Sequence, residues 1–372
     1  MQVFGPNELM TDVIEAGLCT GCGACVNLCP YFRNYRGKTA MLFPCDRTSG
    51  QCHAFCPKIE VDLDWLSRVL FAIPYPAEPA GRFRQMLMAR GGRALPEGKF
   101  QDGGTVSALI MYALESNMLD AAVLTGRNGM FPAPGIAVRP QEVPGFACSK
   151  YTAAPTIASL NEGLNLGYTQ MGVVGTPCQL TAVAQMSANP LQVKDFADPV
   201  ALAIGVFCTW AVDTRGFAGF IQRYASGESI RKMRIPPPPA DVLEIEAEDE
   251  NFEIPLDRLR AFVPEGCMLC PDMTAEWADL SVGSMEGFDN WNTLIVRSRR
   301  GERLMRKAVT AGYLEVDDFP EENREHLLDA ARAKKRRAFE KAGKEGRLNT
   351  REPGRRAALR INPGTLERII SG

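Results

Sequence analysis

An α/β fold with a mixed sheet is predicted for residues 81 to 316, because short apolar runs there alternate with stripes of helical period. Two further observations divide the 372-residue chain. Seven of its twelve cysteines crowd between Cys19 and Cys56, and from Arg324 onward 14 Lys or Arg stand against 6 Asp or Glu. The expected organisation is a cysteine-rich module over 1–80, an α/β domain over 81–316, and a C-terminal helix with a basic tail over 317–372.

The module is rich in turns and closes on Ile73 to Pro79, whose three prolines suit a semi-rigid linker. In the domain, Val106, Leu109, Ile110, Ala113 and Leu114 form one stripe and predict a helix over Thr105 to Met118. Strands are expected at Ala121 to Thr125, Met171 to Val174, Val200 to Phe207, Leu280 to Gly283 and Thr293 to Arg297. Helices are expected at Gln179 to Met186, with Pro177 at a tolerated first-turn position, and at Arg215 to Tyr224. A hairpin is expected over Val242 to Ile254, turning at Glu248-Asp249-Glu250-Asn251. Leu327 to Phe339 predicts a helix, and the polar stretch after Gly343 predicts a solvated tail or a docking segment for an acidic partner.

Composition excludes several classes. A net charge of -2 argues against nucleic-acid binding over the whole surface. The longest apolar stretch, Val200 to Val212, is too short to span a bilayer. The N-terminus lacks a basic, then apolar, leader, so the cytoplasm is the expected compartment. Structural disulfides are rare there, and with only two histidines sulfur must do any ligating.

The run Cys19-x2-Cys22-x2-Cys25-x3-Cys29-Pro30 has the bacterial ferredoxin spacing, in which three thiolates hold three corners of a 4Fe-4S cube and the fourth serves another cluster. Cys56, also followed by proline, can complete the first cube. Cys29, Cys45 and Cys52 are then one ligand short. Asp46, His53 or Cys148 could supply it, the cluster could hold three irons, or there is no second cluster in the module. Cys267-x2-Cys270 is a two-ligand knuckle, while Cys178 and Cys208 each follow an expected strand, where α/β sheets place ligands. Together these four are read as a further 4Fe-4S site. Taken singly, Cys178 and Cys208 would read as buried core thiols. Zinc would not explain the order of the first run.

Gly103-Gly104-Thr105 opens the first helix of the domain, where backbone N–H groups favour a phosphate, and Lys150 is a candidate counter-charge. No Gly-x-Gly-x-x-Gly or P-loop occurs, so a Rossmann site is not expected.

In order along the chain, the cysteine run, Gly103 to Leu109, Ser149-Lys150-Tyr151, Gly175-Thr176-Pro177-Cys178-Gln179, Phe207-Cys208, Cys267/Cys270 and Ala278 to Gly283 resemble the beta subunit family of coenzyme F-420-reducing hydrogenases and dehydrogenases. That family takes in beta subunits of formate dehydrogenases and hydroxymethyl chlorophyll reductase. The resemblance spans about residues 15 to 316. It implies a non-Rossmann FAD domain beside a 4Fe-4S cluster on Cys178, Cys208, Cys267 and Cys270, with FAD near Gly103, Gly104, Thr105, Ser149, Lys150, Tyr151 and Thr176. Ser284 stands where the family more usually has Asp, and Cys148 where it has Gly.

The function expected from these readings is an FAD- and iron-sulfur-dependent electron-transfer subunit of a larger oxidoreductase. It would have two 4Fe-4S clusters or three, and other redox subunits as partners, with ferredoxin or coenzyme F-420 as further candidates. No side-chain nucleophile or general base is expected. The competing readings are a stand-alone ferredoxin- or deazaflavin-dependent reductase of a small molecule, and a zinc-binding assembly protein.

Overall fold

The computed structural model describes residues 2–98, 100–224, 230–236, 240–248 and 250–371. The chain begins with α1 (Pro6–Leu9), a π-helical turn (Met10–Ile14) and a loop carrying four cysteines. The hairpin of β1 (Phe32–Tyr35) and β2 (Lys38–Met41) follows, then α2 (Gln51–Ala54), β3 (Val61–Asp62) and α3 (Leu63–Phe71). The domain continues through β4 (Gln85–Gly91), α4 (Thr105–Glu115), β5 (Ala121–Asn128), β6 (Phe131–Ala137), α5 (Thr156–Asn165), β7 (Met171–Gly175), α6 (Pro177–Ser187), β8 (Val200–Val206) and α7 (Thr214–Ile221). Next come β9 (Ile230–Arg234), β10 (Val242–Ala247), β11 (Asn251–Pro255), α8 (Leu256–Arg260), α9 (Glu265–Met268), β12 (Leu280–Ser284), β13 (Asn292–Val296), α10 (Arg299–Thr310) and β14 (Leu314–Asp318). The C-terminal part is α11 (Glu321–Lys344), β15 (Leu348–Asn349), β16 (Leu359–Arg360) and α12 (Pro363–Ser371).

The main sheet is mixed, in the order β14-β4-β13-β12-β8-β7-β5-β6. Its centre, β12-β8-β7-β5, is parallel, and the flanking pairs are antiparallel. Alternate residues of β5 face opposite sides, as the two-residue period of a strand requires. Ala121 and Val123 pack with α5 and α6, whereas Ala122 and Leu124 pack with α4 and α10. The four parallel strands follow one another in chain order across the sheet, and their carboxyl ends release Thr125, Thr176, Cys208 and Ser284 along one edge.

Three strands of the main sheet escaped the sequence pattern. In β6, Pro132 and Pro134 lie opposite Arg127 and Thr125 at the sheet's edge, the position where a missing N–H is tolerated. β4 is rich in methionine and β14 ends in exposed acids, so neither shows strand alternation. The expected hairpin is β10-β11, and Asp249 in its turn lies outside the described residues.

The tail folds back on the module instead of standing free in solvent, which corrects that expectation. β16 pairs in parallel with β3 of the module, and Leu359, Ile361 and Ile369 are buried in the same hydrophobic cluster as Leu9 and Phe32 of the module, Leu180 of α6 and Phe339 of α11. Arg355 and Arg356 both reach Asp12, at 2.6 and 3.2 Å, and Arg360 bonds Asp62. The acidic surface that the basic tail suits is on its own chain. Lys334 and Lys335 of α11 are buried as well, so the tail's excess of +8 is largely an internal complement to the -10 of residues 1 to 323.

Candidate functional site

The first cysteine loop depends on glycine. Gly23 has φ +87°, and a Cβ there would meet the Pro155 carbonyl oxygen at 2.6 Å, so the loop lies directly on the start of α5. The Ile157 amide donates to the Cys22 carbonyl at 3.0 Å, and Asn161 Nδ2 donates to the carbonyls of Ala24 and Val26 at 3.1 and 2.7 Å. Cys19, Cys22, Cys25 and Cys56 thereby line one cavity together with the apolar Leu9, Val13 and Ile14. Burial first, then the neighbouring thiols, push Cys22 and Cys25 well above the ordinary cysteine value; burial takes Cys56 to about 12. Such thiols ionise poorly unless a metal takes up the charge, so the donor set and its dry lining suit an iron-sulfur cube.

Cys29, Cys45 and Cys52 form a second group. The Cys52 thiol is raised to about 11, by burial and then by Cys29 and Cys45, against backbone hydrogen bonds from His53 and Cys52 that lower it. Of the candidate fourth ligands, His53 accepts a hydrogen bond at Nδ1 from the Phe4 amide at 3.4 Å and packs edge-on to the Phe4 ring. Burial lowers its pKa to about 4 against the pull of Asp12 and Glu8, which marks it as a neutral ring in the pocket where Arg355 docks. Cys148 lies in the α/β domain, its charge felt by Lys150 and Arg127.

The structure also brings Cys178, Cys208, Cys267 and Cys270 together. Cys178 opens α6, Cys208 follows β8, and the knuckle is carried by α9. Burial is the largest cause of the raised thiol pKa at Cys178, Cys208 and Cys267, the last reaching about 11, and each of the three also feels others of the set. Among the described residues no three Cys, His, Asp or Glu side chains converge on a single-ion position.

The two four-cysteine groups adjoin. A Cβ on Gly266, next to Cys267, would meet the carbonyl oxygen of Leu18, next to Cys19, at 2.0 Å. Gln185 of α6 donates to the Cys56 carbonyl at 3.0 Å. Cys178 is the first thiol, after burial, to raise Cys22.

The segments expected around FAD meet on the same carboxyl edge. Gly104 has φ +74° and caps α4, and the Thr105 amide donates to Asn292 Oδ1 at 3.2 Å. The Gln101 side chain accepts from the Ser149 amide at 3.3 Å, which joins the glycine loop to Ser149-Lys150-Tyr151. Val212 takes a backbone bond from its amide to Tyr151, four residues after Cys208. The Thr176 hydroxyl lies 3.5 Å from Cys178 Sγ. Thr105 Oγ1 is buried without a hydrogen-bond partner beside the glycines, an acceptor or donor that a ligand could use. Lys150 donates to the carbonyls of Phe146, Ala147 and Cys148 at 2.7, 2.8 and 2.6 Å, and burial lowers its pKa to about 8.

Sequence reasoning missed the residues that hold these groups from a distance: Asn161, Gln185, Asn292 and the buried Lys58 and Lys334. Lys334 donates to the carbonyls of Cys208 and Asp272 at 2.6 and 2.7 Å. Burial pulls its pKa down, but the thiols of Cys270 and Cys208 with Asp272 more than offset that, leaving it raised. Only its place in a predicted helix was legible.

Known protein families match the N-terminal cysteine run and most of the α/β domain. Residues 88–161 match the family model of the coenzyme F420 hydrogenase/dehydrogenase beta subunit N-terminus, residues 168–322 that of its C terminus, and residues 12–31 a 4Fe-4S binding domain. The coenzyme F420 hydrogenase subunit beta of Methanococcus voltae is 30% identical over 254 residues, 65% of this chain and 86% of that one. That of Methanothermobacter thermautotrophicus is 29% identical over 246 residues, with the same coverage. A chain of the F420-reducing NiFe hydrogenase complex from Methanosarcina barkeri superposes with a TM-score of 0.66 at 25% identity, covering 72% of this chain and 93% of that one. Among the described residues no helix is long and apolar enough to cross a membrane. With its cysteine sets, its glycine loop and its sheet edge in this order, the chain belongs to the coenzyme F420 hydrogenase/dehydrogenase beta subunit family of oxidoreductases.

Proposed function

We propose that this chain is the flavin- and iron-sulfur-carrying electron-transfer subunit of a larger redox complex. Two 4Fe-4S clusters would be held by Cys19, Cys22, Cys25 and Cys56 and by Cys178, Cys208, Cys267 and Cys270. Cys29, Cys45 and Cys52 offer three ligands to a third. The observation that carries the reading is a chain of contacts: Gln101 beside Gly103-Gly104 joins Ser149, Gln179 of α6 donates to the Ala154 carbonyl just after Tyr151, and Gln185 of the same helix reaches Cys56. A flavin takes up a hydride as two electrons and passes them on singly, and each cluster carries one.

The protein's contribution is placement. Thr176 lies between the candidate flavin edge and the Cys178 thiol, and α6 then fixes Cys178 and, through Gln185, Cys56. Gly103 and Gly104 let backbone approach the FAD diphosphate at the start of α4. Lys150, its donors engaged by three carbonyls, would act by shaping the Phe146 to Tyr151 loop rather than as a free cation. The strand order β5-β7-β8-β12 supports a site unlike the Rossmann crevice, where strand order reverses. The likeness to F420 hydrogenase subunits makes coenzyme F420 the proposed hydride-exchange partner of the flavin, and another redox subunit the proposed protein partner. Protein purified without oxygen should carry about 8 to 12 iron and one FAD per chain, four iron to each cube. Zinc in place of iron, or no flavin released on denaturation, would refute the proposal.

The folded tail removes one of the two features that pointed to a partner. A stand-alone reductase is the reading to adopt if the native protein is a monomer that turns over a small substrate at full rate.

A further inference from the structure

Lys334 lies on α11, beyond residue 322 where the family match ends. It is only 6% exposed, although burying an ammonium is costly and a methionine would fill similar space without that cost. Its neighbour Lys335 has the Glu276 carboxylate at 2.8 Å. Lys334 instead bonds backbone carbonyls, those of Cys208 and Asp272. These belong to the two loops that carry Cys208 and Cys270, and the Asp272 carbonyl also lies 3.6 Å from Cys270 Sγ. The Asp272 carboxylate is engaged by the amides of Thr274 and Glu276. A cation held by backbone carbonyls, with the Asp272 carboxylate turned to those amides, is thus fixed where four thiolates would gather.

We propose that Lys334 is a positioning residue that ties the Cys208 and Cys270 loops together and supplies the fixed positive charge that raises the reduction potential of the cluster they hold. Reduction adds one electron to that cluster, and a buried cation nearby stabilises the added negative charge more than it would in water. The inference rests on the ligand set proposed above. It also gives α11 a role in the redox centre, so that this C-terminal segment sets a property of a site built from the family domain.

The test is a potentiometric titration of the cluster signals, followed by electron paramagnetic resonance, in the full chain and in Lys334→Met, Lys334→Gln and Lys334→Arg. Lys334→Met is expected to keep its iron and to move one cluster to lower potential by at least a tenfold change in its reduced-to-oxidised ratio, about 59 mV for one electron. The other signals should stay in place, and Lys334→Arg should titrate close to the parent. An unshifted potential in either uncharged variant overturns the proposal. Loss of that cluster from both uncharged variants but not from Lys334→Arg supports it, and loss from Lys334→Arg too overturns it. Iron analysis of Cys267→Ala separates the two levels. Iron equal to the parent's there means the ligand set is wrong, whereas iron loss there with an unshifted Lys334→Met means only this inference is.

Discussion

The Gln185 amide donates to the Cys56 carbonyl at 3.0 Å from the helix whose first turn carries Cys178. One rigid element therefore sets the distance between the two four-cysteine groups. Gln185→Leu leaves that carbonyl only the long bond from the Ile59 amide, at 3.5 Å, and the lost hydrogen bond costs about 0.5–1.5 kcal/mol. A lower melting temperature and slower reduction of the second cluster after the first are expected. Stopped-flow absorbance of the two clusters checks the rate, and unchanged kinetics would show that α6 does not set the spacing.

Gly266 has no room for a side chain against the Leu18 carbonyl. Gly266→Val is expected to force the knuckle away from the Cys19 loop and to lower iron by about one cube, four atoms. Iron and acid-labile sulfide assays read the loss, and a fully loaded variant would contradict the packing.

The tail holds the module through Asp12, Asp62 and the buried Leu359 and Ile361. Deleting residues 346 to 372 should therefore strip iron from the Cys19 to Cys56 module and expose apolar surface. A truncated chain that keeps all its iron and loses only a partner would restore the docking-segment reading.

Lys150→Met removes the ammonium that the carbonyls of Phe146, Ala147 and Cys148 share in the loop that precedes Tyr151. Flavin retained per chain should fall severalfold while iron stays constant. Fluorescence of flavin released on denaturation measures it, and full retention would place the flavin away from this loop.

What was legible in the sequence was local. Cysteine spacing pointed to three ligands of the proposed first cube because Cys19, Cys22 and Cys25 sit within one loop, and apolar runs pointed to β5, β7, β8 and β12 because those strands are buried on both faces. Pro132 and Pro134 hid β6, since an edge strand tolerates what a central one does not. Long-range charge pairing was not legible at all. Asp12 with Arg355 are more than 340 positions apart, and nothing in either neighbourhood marks the other. For the same reason Lys334 read as one more base in a basic run.

The central claim is that two 4Fe-4S clusters lie side by side, one on Cys19, Cys22, Cys25 and Cys56 and one on Cys178, Cys208, Cys267 and Cys270. Electron paramagnetic resonance of the fully reduced protein tests it most directly. Magnetic interaction between two cluster spins is predicted to broaden or split the signals, and Cys267→Ala should leave a simple, uncoupled signal from the N-terminal cube. A parent spectrum equal to the sum of independent clusters, unchanged in line shape by Cys267→Ala, would contradict it.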